Sequence, residues 1–254
     1  MSAKSIILCL SLVFHSCFVF SQQYHKVKIT RDSLQYDYAA RKLILPSVLI
    51  GVGFWGLQNH KIKDFNENVQ EEVVEHIDKK ITIDDFSQYL PAATVYALNA
   101  FGVKGKNNFR DRSVILATSL VISGITVTGL KHLTKEQRPD GTAHNSFPSG
   151  HTTMAFAGAE FLRIEYKDVS PWYGFAGYVV AAGTGIFRVY NNRHWCNDIV
   201  AGAGFGILST KIAYWMNPFL SEKVFHFNNP KATSASLIPV FDGKHAGIGF
   251  SMIF

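Results

Sequence analysis

The chain has 254 residues, a formal net charge of +6 and a hydrophobic fraction of 47%. This length suits one domain with small appendages, and the basic balance suits phosphorylated or anionic-lipid partners. The sequence contains no long run of Lys and Arg, which argues against a nucleic-acid-binding protein.

The N-terminal segment predicts a signal peptide over residues 1–21. Lys4 supplies a short positive region, residues 6–20 are mostly apolar, and Ser21 precedes a cleavage site of the usual kind. An uncleaved signal anchor is the alternative. Removal of residues 1–21 would leave Cys196 as the one cysteine, which would exclude an internal disulfide and a thiolate metal cluster.

After a polar lead at 22–40, six apolar segments are too long for ordinary strands and therefore predict helices. They span 43–57, 89–103, 113–133, 152–162, 172–187 and 198–216. We expect an all-α, six-helix up-and-down bundle over 41–220, embedded in a membrane. The first and third segments come closest to the ~20 apolar residues of a membrane span. Glu160 and Lys211, inside the fourth and sixth segments, also suit a bundle in a soluble protein.

Two further segments flank or interrupt this bundle. Residues 61–88 place apolar residues at helical spacing among acidic ones, which predicts a solvent-facing helix packed on the bundle. An interfacial helix that helps to admit a lipid is the alternative. The tail, 221–254, alternates apolar and small residues on either side of Asp242-Gly243-Lys244 and predicts a short β-hairpin.

The first chemical motif places two cations near the end of the third helix. Lys131 and Arg138 lie seven residues apart, so a helix that carried both would point them the same way. Pro139 disfavours helix at the residue before it. Two such cations form an anion site, whereas a positive flank at a membrane boundary is the simpler explanation of this motif alone.

The second motif, Phe147-Pro148-Ser149-Gly150-His151, precedes the fourth helix. Free backbone N–H groups at a helix start bind anions, and Gly150 lets the backbone approach one closely. Ser149 offers a hydroxyl donor, and His151 would lie beside the bound anion. A Ser N-cap with an incidental His explains the same residues.

The third motif is Arg188-x5-His194-x3-Asp198. His194 and Asp198 are four apart and share a helix face, and a carboxylate bonded to one ring nitrogen makes the other a better nucleophile. Arg188 supplies a planar fork that suits phosphate oxygens. A His–Asp pair that satisfies a helix start is the alternative.

In this order and at these spacings, the three motifs resemble the type 2 phosphatidic acid phosphatase (PAP2) family, which shares its fold with bacterial class A acid phosphatases and vanadium haloperoxidases. The resemblance covers about residues 86–216. One departure is Phe187, where the family has Ser before the arginine. Two helices separate the second motif from the third, so an up-and-down bundle brings both to the same end.

The resemblance implies a metal-independent phosphatase that forms a phosphohistidine on His194 and needs no cofactor. Asp198 would orient His194, and His151 would protonate the leaving alkoxide and then help to activate water. The groups implied in phosphate binding are Lys131, Arg138, Ser149, Gly150 and Arg188.

The expected substrate is a phosphate monoester or diphosphate of an envelope lipid, and no residue chooses among such lipids. A soluble periplasmic acid phosphatase is the alternative, and a vanadate-dependent haloperoxidase is a remote third because those enzymes are usually much longer. Positively charged loops place the site on the periplasmic side of a bacterial envelope. A cleaved signal followed by an inward first span would instead place it in the cytoplasm, and we expect the periplasmic side.

Overall fold

The computed structural model of the protein describes residues 31–76, 82–220, 234–241 and 246–253. Within these ranges the chain forms eight α-helices and two β-strands. The helices are α1 (Arg31–Gln58), α2 (His60–His76), α3 (Ile83–Ser87), α4 (Leu90–Ala100), α5 (Phe109–Thr134), α6 (Gly150–Tyr166), α7 (Pro171–Tyr190) and α8 (Cys196–Phe219). The strands β1 (Ser234–Phe241) and β2 (Ala246–Ile253) pair antiparallel.

The predicted helical bundle is confirmed, and its six segments correspond to α1 and to α4 through α8. Within the predicted helix at 61–88, the described residues form two helices, α2 and the short α3, and residues 77–81 lie outside the described ranges. The predicted signal peptide also lies outside them. So does the predicted turn of the tail, and the hairpin as a whole stays a prediction.

Helix α6 lies at the centre of the bundle and packs against α4, α5, α7 and α8. Its contact with α8 is close because α8 presents glycines there. A Cβ atom added at Gly206 would lie 2.3 Å from the carbonyl oxygen of Thr153, and one added at Gly202 would lie 2.8 Å from that of Ser149. Backbone contact therefore fixes the position of α6 against α8.

Charged residues inside α6 and α8 pair with each other in the bundle interior. Glu160 is almost completely buried and accepts hydrogen bonds from Arg163 at 2.7 Å and from Lys211 at 2.6 Å. The hydroxyl of Tyr178 donates to the same carboxylate. Paired charges that face the interior are compatible with a membrane bundle, so these residues do not favour a soluble protein.

Helices α5 and α8 are the two among the described residues that are long and apolar enough to cross a membrane. Helix α5 buries Ser119, which shares a 2.8 Å hydrogen bond with Thr210 of α8, and it exposes Val121, Ile125 and Leu133. A polar inner face and an apolar outer face suit a helix that faces lipid. By length and composition, these two helices fit a membrane protein.

The sequence indicated that the first and third segments come closest to a membrane span. Within the part of the chain that the structure describes, α5, at the third segment, has the length and hydropathy of a span, whereas α1, at the first, does not. Helix α1 does not qualify because Arg41, Lys42 and Gln58 bound its apolar part, which is left too short. Helix α8 qualifies although it contains Lys211, because its other residues are mostly apolar.

Candidate active site at one end of the bundle

All three predicted motifs lie at the same end of the helical bundle. Lys131 is in the last turn of α5, and Arg138 is in the loop that follows. His151 is in the first turn of α6. The third motif runs from Arg188 in the last turn of α7, through the connecting loop, to the first turn of α8. This is the arrangement that the number of intervening helices predicts.

Hydrogen bonds hold the two long loops of the site against each other. Arg193 of the α7–α8 loop pairs with Asp140 of the α5–α6 loop at 3.0 Å. The indole of Trp195 donates to the carbonyl oxygen of Gln137 at 2.8 Å. Helix α5 ends at Thr134, and the next residue, Lys135, has a positive φ of 48° that turns the chain into its loop. The loops therefore form one platform.

His194 and Asp198 form a buried pair at the base of this platform. Nδ1 of His194 lies 3.4 Å from Oδ2 of Asp198, and the same oxygen accepts the backbone N–H of Trp195 at 3.0 Å. The hydroxyl of Ser146 donates to Asp198 and lies 3.4 Å from Nδ1. With Nδ1 engaged in this way, Nε2 is the ring nitrogen left for chemistry.

The surroundings of His194 keep its imidazole neutral. Burial, followed by the positive charges of Lys131, Arg188 and Arg138, holds the pKa of His194 well below its ordinary value. Only a neutral imidazole carries the lone pair that a nucleophile needs.

The cations of the first motif converge on a residue that the sequence analysis did not single out, Asn145. The ammonium of Lys131 donates to its carbonyl oxygen, and Nε of Arg138 donates to its side-chain oxygen at 2.8 Å. Burial, then the charges of Arg188 and Arg193, lower the pKa of Arg138 from its ordinary value. Cations that crowd each other in this way favour the binding of an anion between them.

Arg188 is held by a carboxylate from α3. Its NH1 lies 2.5 Å from Oδ2 of Asp84, and the other oxygen of Asp84 accepts from the side chain of Asn191 at 2.9 Å. Nε of Arg188 is buried and has no hydrogen-bond partner within the described structure. A buried donor without a partner is costly, so a ligand oxygen at this N–H would be favoured.

His151 also contacts a carboxylate from α3. Its Nε2 lies 3.0 Å from Oδ1 of Asp85, and that oxygen is 3.9 Å from NH1 of Arg188. Burial and the charge of Arg188 lower the pKa of His151, whereas the hydrogen bond to Asp85 opposes the shift.

Ser149 and Gly150 form the start of α6. Ser149 is fully buried, and its hydroxyl accepts from the backbone N–H of Thr152 at 3.5 Å and from the hydroxyl of Thr152 at 2.9 Å. It is therefore an N-cap, and its contact with phosphate stays a prediction. A Cβ at Gly150 would meet only Val127, at 3.6 Å, so no protein atom requires glycine there.

The carboxylates of Asp84 and Asp85 and the ring of His151 lie close enough together to hold a metal ion. Both carboxylates, however, lie next to the guanidinium of Arg188. This fixed positive charge opposes a metal cation and already offsets part of the negative charge of the pair. These carboxylates are therefore better suited to pairing with arginine than to binding a metal ion.

Sequence reasoning missed four polar residues of the site. Asn145 and Ser146 directly precede the second motif, and their position beside it was the available signal. Asp84 and Asp85 lie more than forty residues before the first motif, and no spacing relates them to it.

Comparison with known protein families agrees with the motifs. Residues 112–222 match the model of the PAP2 superfamily. This chain carries a PAP2 domain. The crystal structure of a transmembrane PAP2-type phosphatidylglycerolphosphate phosphatase from Bacillus subtilis has the same fold, with a TM-score of 0.50 at 18% identity. That similarity covers 69% of this chain and 97% of the B. subtilis chain.

Curated relatives of this PAP2 protein include lipid phosphatases. The chain is 42% identical over 147 residues to the lipid A 1-phosphatase of Porphyromonas gingivalis. This matched region covers 58% of this chain and 33% of the relative. The chain is 31% identical over 105 residues to lipid phosphate phosphatase 2 of Arabidopsis thaliana, which covers 37% of this chain and 34% of the relative. The matched region thus spans about a third of the length of these relatives.

Proposed function

We propose that this PAP2 protein is a metal-independent phosphatase that acts on phosphorylated lipids of the cell envelope, with His194 as its nucleophile. One observation carries the proposal: His194 is buried, contacts Asp198 through Nδ1, and faces three cations that lower the pKa of its imidazole. Those cations are Lys131, Arg138 and Arg188. An imidazole nucleophile surrounded by cations suits attack on a phosphoryl group, which is anionic and becomes more so in the transition state.

The phosphoryl oxygens would bind to charged and backbone donors from three helices and one loop. Arg188 offers its unpartnered Nε–H, and Lys131 and Arg138 supply two further positive charges. The N-terminus of α6, at Gly150, adds backbone N–H groups of the kind that bind anions. Ser149 retains a hydroxyl proton for the same anion.

In the first step, Nε2 of His194 attacks phosphorus as the ester bond to the leaving oxygen breaks. The imidazole becomes positively charged when the nitrogen–phosphorus bond forms. Asp198 accepts the hydrogen bond from Nδ1 and stabilises this charge. Ser146 and the backbone of Trp195 hold the carboxylate in place.

His151 would act as the general acid and then as the general base. It donates a proton to the leaving alkoxide in the first step and accepts one from the water that hydrolyses the phosphohistidine in the second. General acid–base catalysis of this kind is worth about 10² to 10⁴ in rate.

A lipid substrate is supported by the outer surface of the bundle. Helix α5 ends at the site and exposes Val121, Ile125 and Leu133. The relatives named for their action on lipid A and on lipid phosphates are consistent with this class. We therefore favour a membrane enzyme over the soluble acid phosphatase, with the active site on the periplasmic side of a bacterial envelope.

The proposal is tested by measuring phosphate release by the detergent-purified protein. The panel contains lipid A, phosphatidic acid, phosphatidylglycerol phosphate, undecaprenyl diphosphate and p-nitrophenyl phosphate. We expect the wild type to hydrolyse at least one lipid in the presence of EDTA. We expect His194→Ala to lose at least about 10³-fold in kcat and to form no acid-labile phosphoenzyme. His60→Ala, on the exposed start of α2, is the control and should retain activity.

Two results would contradict the proposal. The first is full activity of His194→Ala. The second is loss of wild-type activity in EDTA that a divalent cation restores.

A further inference from the structure

The site contains two histidine–carboxylate pairs, and the mechanism above uses only one of the carboxylates. His194 contacts Asp198 through Nδ1, and His151 contacts Asp85 through Nε2 at 3.0 Å. The two rings thus engage their carboxylates through opposite nitrogens. This leaves Nε2 of His194 and Nδ1 of His151 as the ring nitrogens available to a substrate.

Asp85 is held in place because α3 is docked on one face of α7. Asp84 contacts Arg188 of α7 and Asn191, which directly follows that helix, and Ser87 shares a 2.7 Å hydrogen bond with Thr184 of α7. Thr184 and Arg188 are four residues apart on α7 and therefore share a face.

The next residue along the chain also supports this segment. The side chain of Gln88 donates to the backbone oxygen of Asp85 at 2.8 Å. The carboxylate of Asp85 is thus presented to α6 by a fixed backbone.

The charges around His151 make a carboxylate partner useful. Arg188 of α7 and burial lower the pKa of His151, while Asp85 and Asp84 of α3 raise it. The imidazole of His194, in the α7–α8 loop, also faces it. A general acid must carry its proton when the substrate binds, and among these groups Asp85 is the one bonded directly to the ring.

We propose, on the basis of the phosphatase function above, that Asp85 is a positioning residue for the general acid His151. Asp85 accepts a hydrogen bond from Nε2–H of His151, and this proton stays on Nε2 throughout the reaction. The Nδ1 proton passes to the leaving alkoxide as the phosphorus–oxygen bond breaks. In the second step, Nδ1 takes a proton from the attacking water, so that each turnover returns the ring to its starting state.

The proposal is tested by the dependence of Asp85 variants on the leaving group. An alkoxide leaves only with a proton, whereas p-nitrophenolate leaves without one. For Asp85→Asn, we expect kcat/KM to fall about ten- to a hundredfold on dioctanoyl phosphatidic acid, a part of the ~10² to 10⁴ contributed by general acid catalysis. On p-nitrophenyl phosphate we expect a fall of less than about threefold.

The pH profile and two further variants complete the test. In Asp85→Asn, the basic limb of the pH profile of kcat/KM on the alkyl ester should move to lower pH. Without the carboxylate, the protonated form of His151 is less stable and loses its proton at a lower pH. Asp85→Glu, which keeps the charge, should restore most of the rate. Asp168→Asn is the same substitution in an exposed position at the opposite end of the bundle and should leave kcat/KM unchanged on both substrates. Melting temperatures of all variants check that they fold.

Three outcomes would overturn the proposal while leaving the phosphatase function intact. Equal losses on both substrates would indicate a structural role for Asp85, and unchanged kcat/KM on both would indicate none. An increase in kcat/KM on both substrates would mean that Asp85 competes with the phosphoryl group for Arg188. Failure of the function itself is recognised separately, by a wild type that hydrolyses no ester or by an active His194→Ala.

Discussion

At the scale of single residues, the proposed role of His194 as nucleophile makes two opposite demands. The residue must be surrounded by cations so that a phosphate binds, and it must be neutral so that its nitrogen can attack. Burial and the charges of Lys131, Arg188 and Arg138 satisfy both, since they bind an anion and also disfavour a protonated imidazole. One cluster of charges thus serves binding and activation.

This arrangement predicts the acidic limb of the pH profile. Because protonation inactivates the nucleophile and its pKa is lowered, the limb due to His194 should lie below pH ~6.5, the ordinary value for histidine. Removing a cation in Arg138→Gln should move the limb to higher pH and lower kcat/KM. The measurement is kcat/KM against pH for both enzymes.

Comparing the wild type with Arg138→Gln removes the contribution of substrate titration to the pH profile. The phosphate ester has its own pKa near ~6, which is the same for both, so the difference between the profiles reports on the enzyme. Lys104→Gln, an exposed cation at the other end of the bundle, is the control. A limb that stays in place or moves to lower pH in Arg138→Gln would contradict the explanation.

The sequence pointed to residues whose short spacing gives them a common role, such as His194 and Asp198. The structure corrects the expectation that the two share a helix face, because His194 lies in the loop before α8 and only Asp198 is in its first turn. The sequence did not point to Asp84 or Asp85. Their position depends on the docking of α3 against α7, through contacts such as that between Ser87 and Thr184, which are 97 residues apart. No local pattern encodes a contact between elements so distant in the chain.

At the scale of elements, the close contact between α6 and α8 is the most constrained part of the fold. Gly202 and Gly206 lie one turn apart on α8, against the backbone of α6. Because α6 begins with the second motif and α8 carries Asp198, this contact sets the distance between the two halves of the site.

Gly206→Ala should therefore destabilise the protein. Its Cβ would lie 2.3 Å from the oxygen of Thr153 and 2.8 Å from the nitrogen of Ala157, so the helices must separate. We expect a loss of at least about 1–3 kcal/mol, measured as a lower melting temperature in detergent together with lower activity.

Gly183→Ala is the matched control, because a Cβ there meets nothing within 4 Å and the residue lies within α7. We expect it to be neutral or to stabilise by about 0.5–1 kcal/mol, as alanine does in a helix. Equal stability of the two variants would show that the helix contact is less tight than described.

The helices themselves could be predicted because long apolar segments have few other structures available to them. The assignment of spans was less successful, since it depends on which face of each helix is buried. Glu160 and Lys211 were taken to suit a soluble bundle, yet they bond to each other inside the molecule. Hydropathy along the chain does not reveal such pairing across 51 residues.

At the scale of the whole molecule, the two ends of the bundle differ in character. The active-site motifs lie at one end, and the loops with Lys104, Lys106 and Lys167 lie at the other. Basic loops tend to stay in the cytoplasm, which supports a periplasmic site.

Labelling of intact cells with a membrane-impermeant maleimide checks this orientation. In a background in which Cys9, Cys17 and Cys196 are replaced by alanine, His144→Cys in the exposed loop before the second motif should be labelled directly. Asp168→Cys, exposed at the other end, should react only after the inner membrane is permeabilised. The reverse pattern would place the site in the cytoplasm.

The residues of helix α3 fall into two groups with different surroundings, and this difference bears on how such enzymes diversify. The carboxylates of Asp84 and Asp85 contact Arg188 and His151, which are implied in phosphate chemistry, while Ile83 and Phe86 of the same short helix are exposed to solvent. Mutation of the outer positions would alter what the rim of the site touches and leave the reacting groups in place. Single substitutions at these outer positions should therefore be able to change the preference for the alcohol part of the ester without passing through inactive variants.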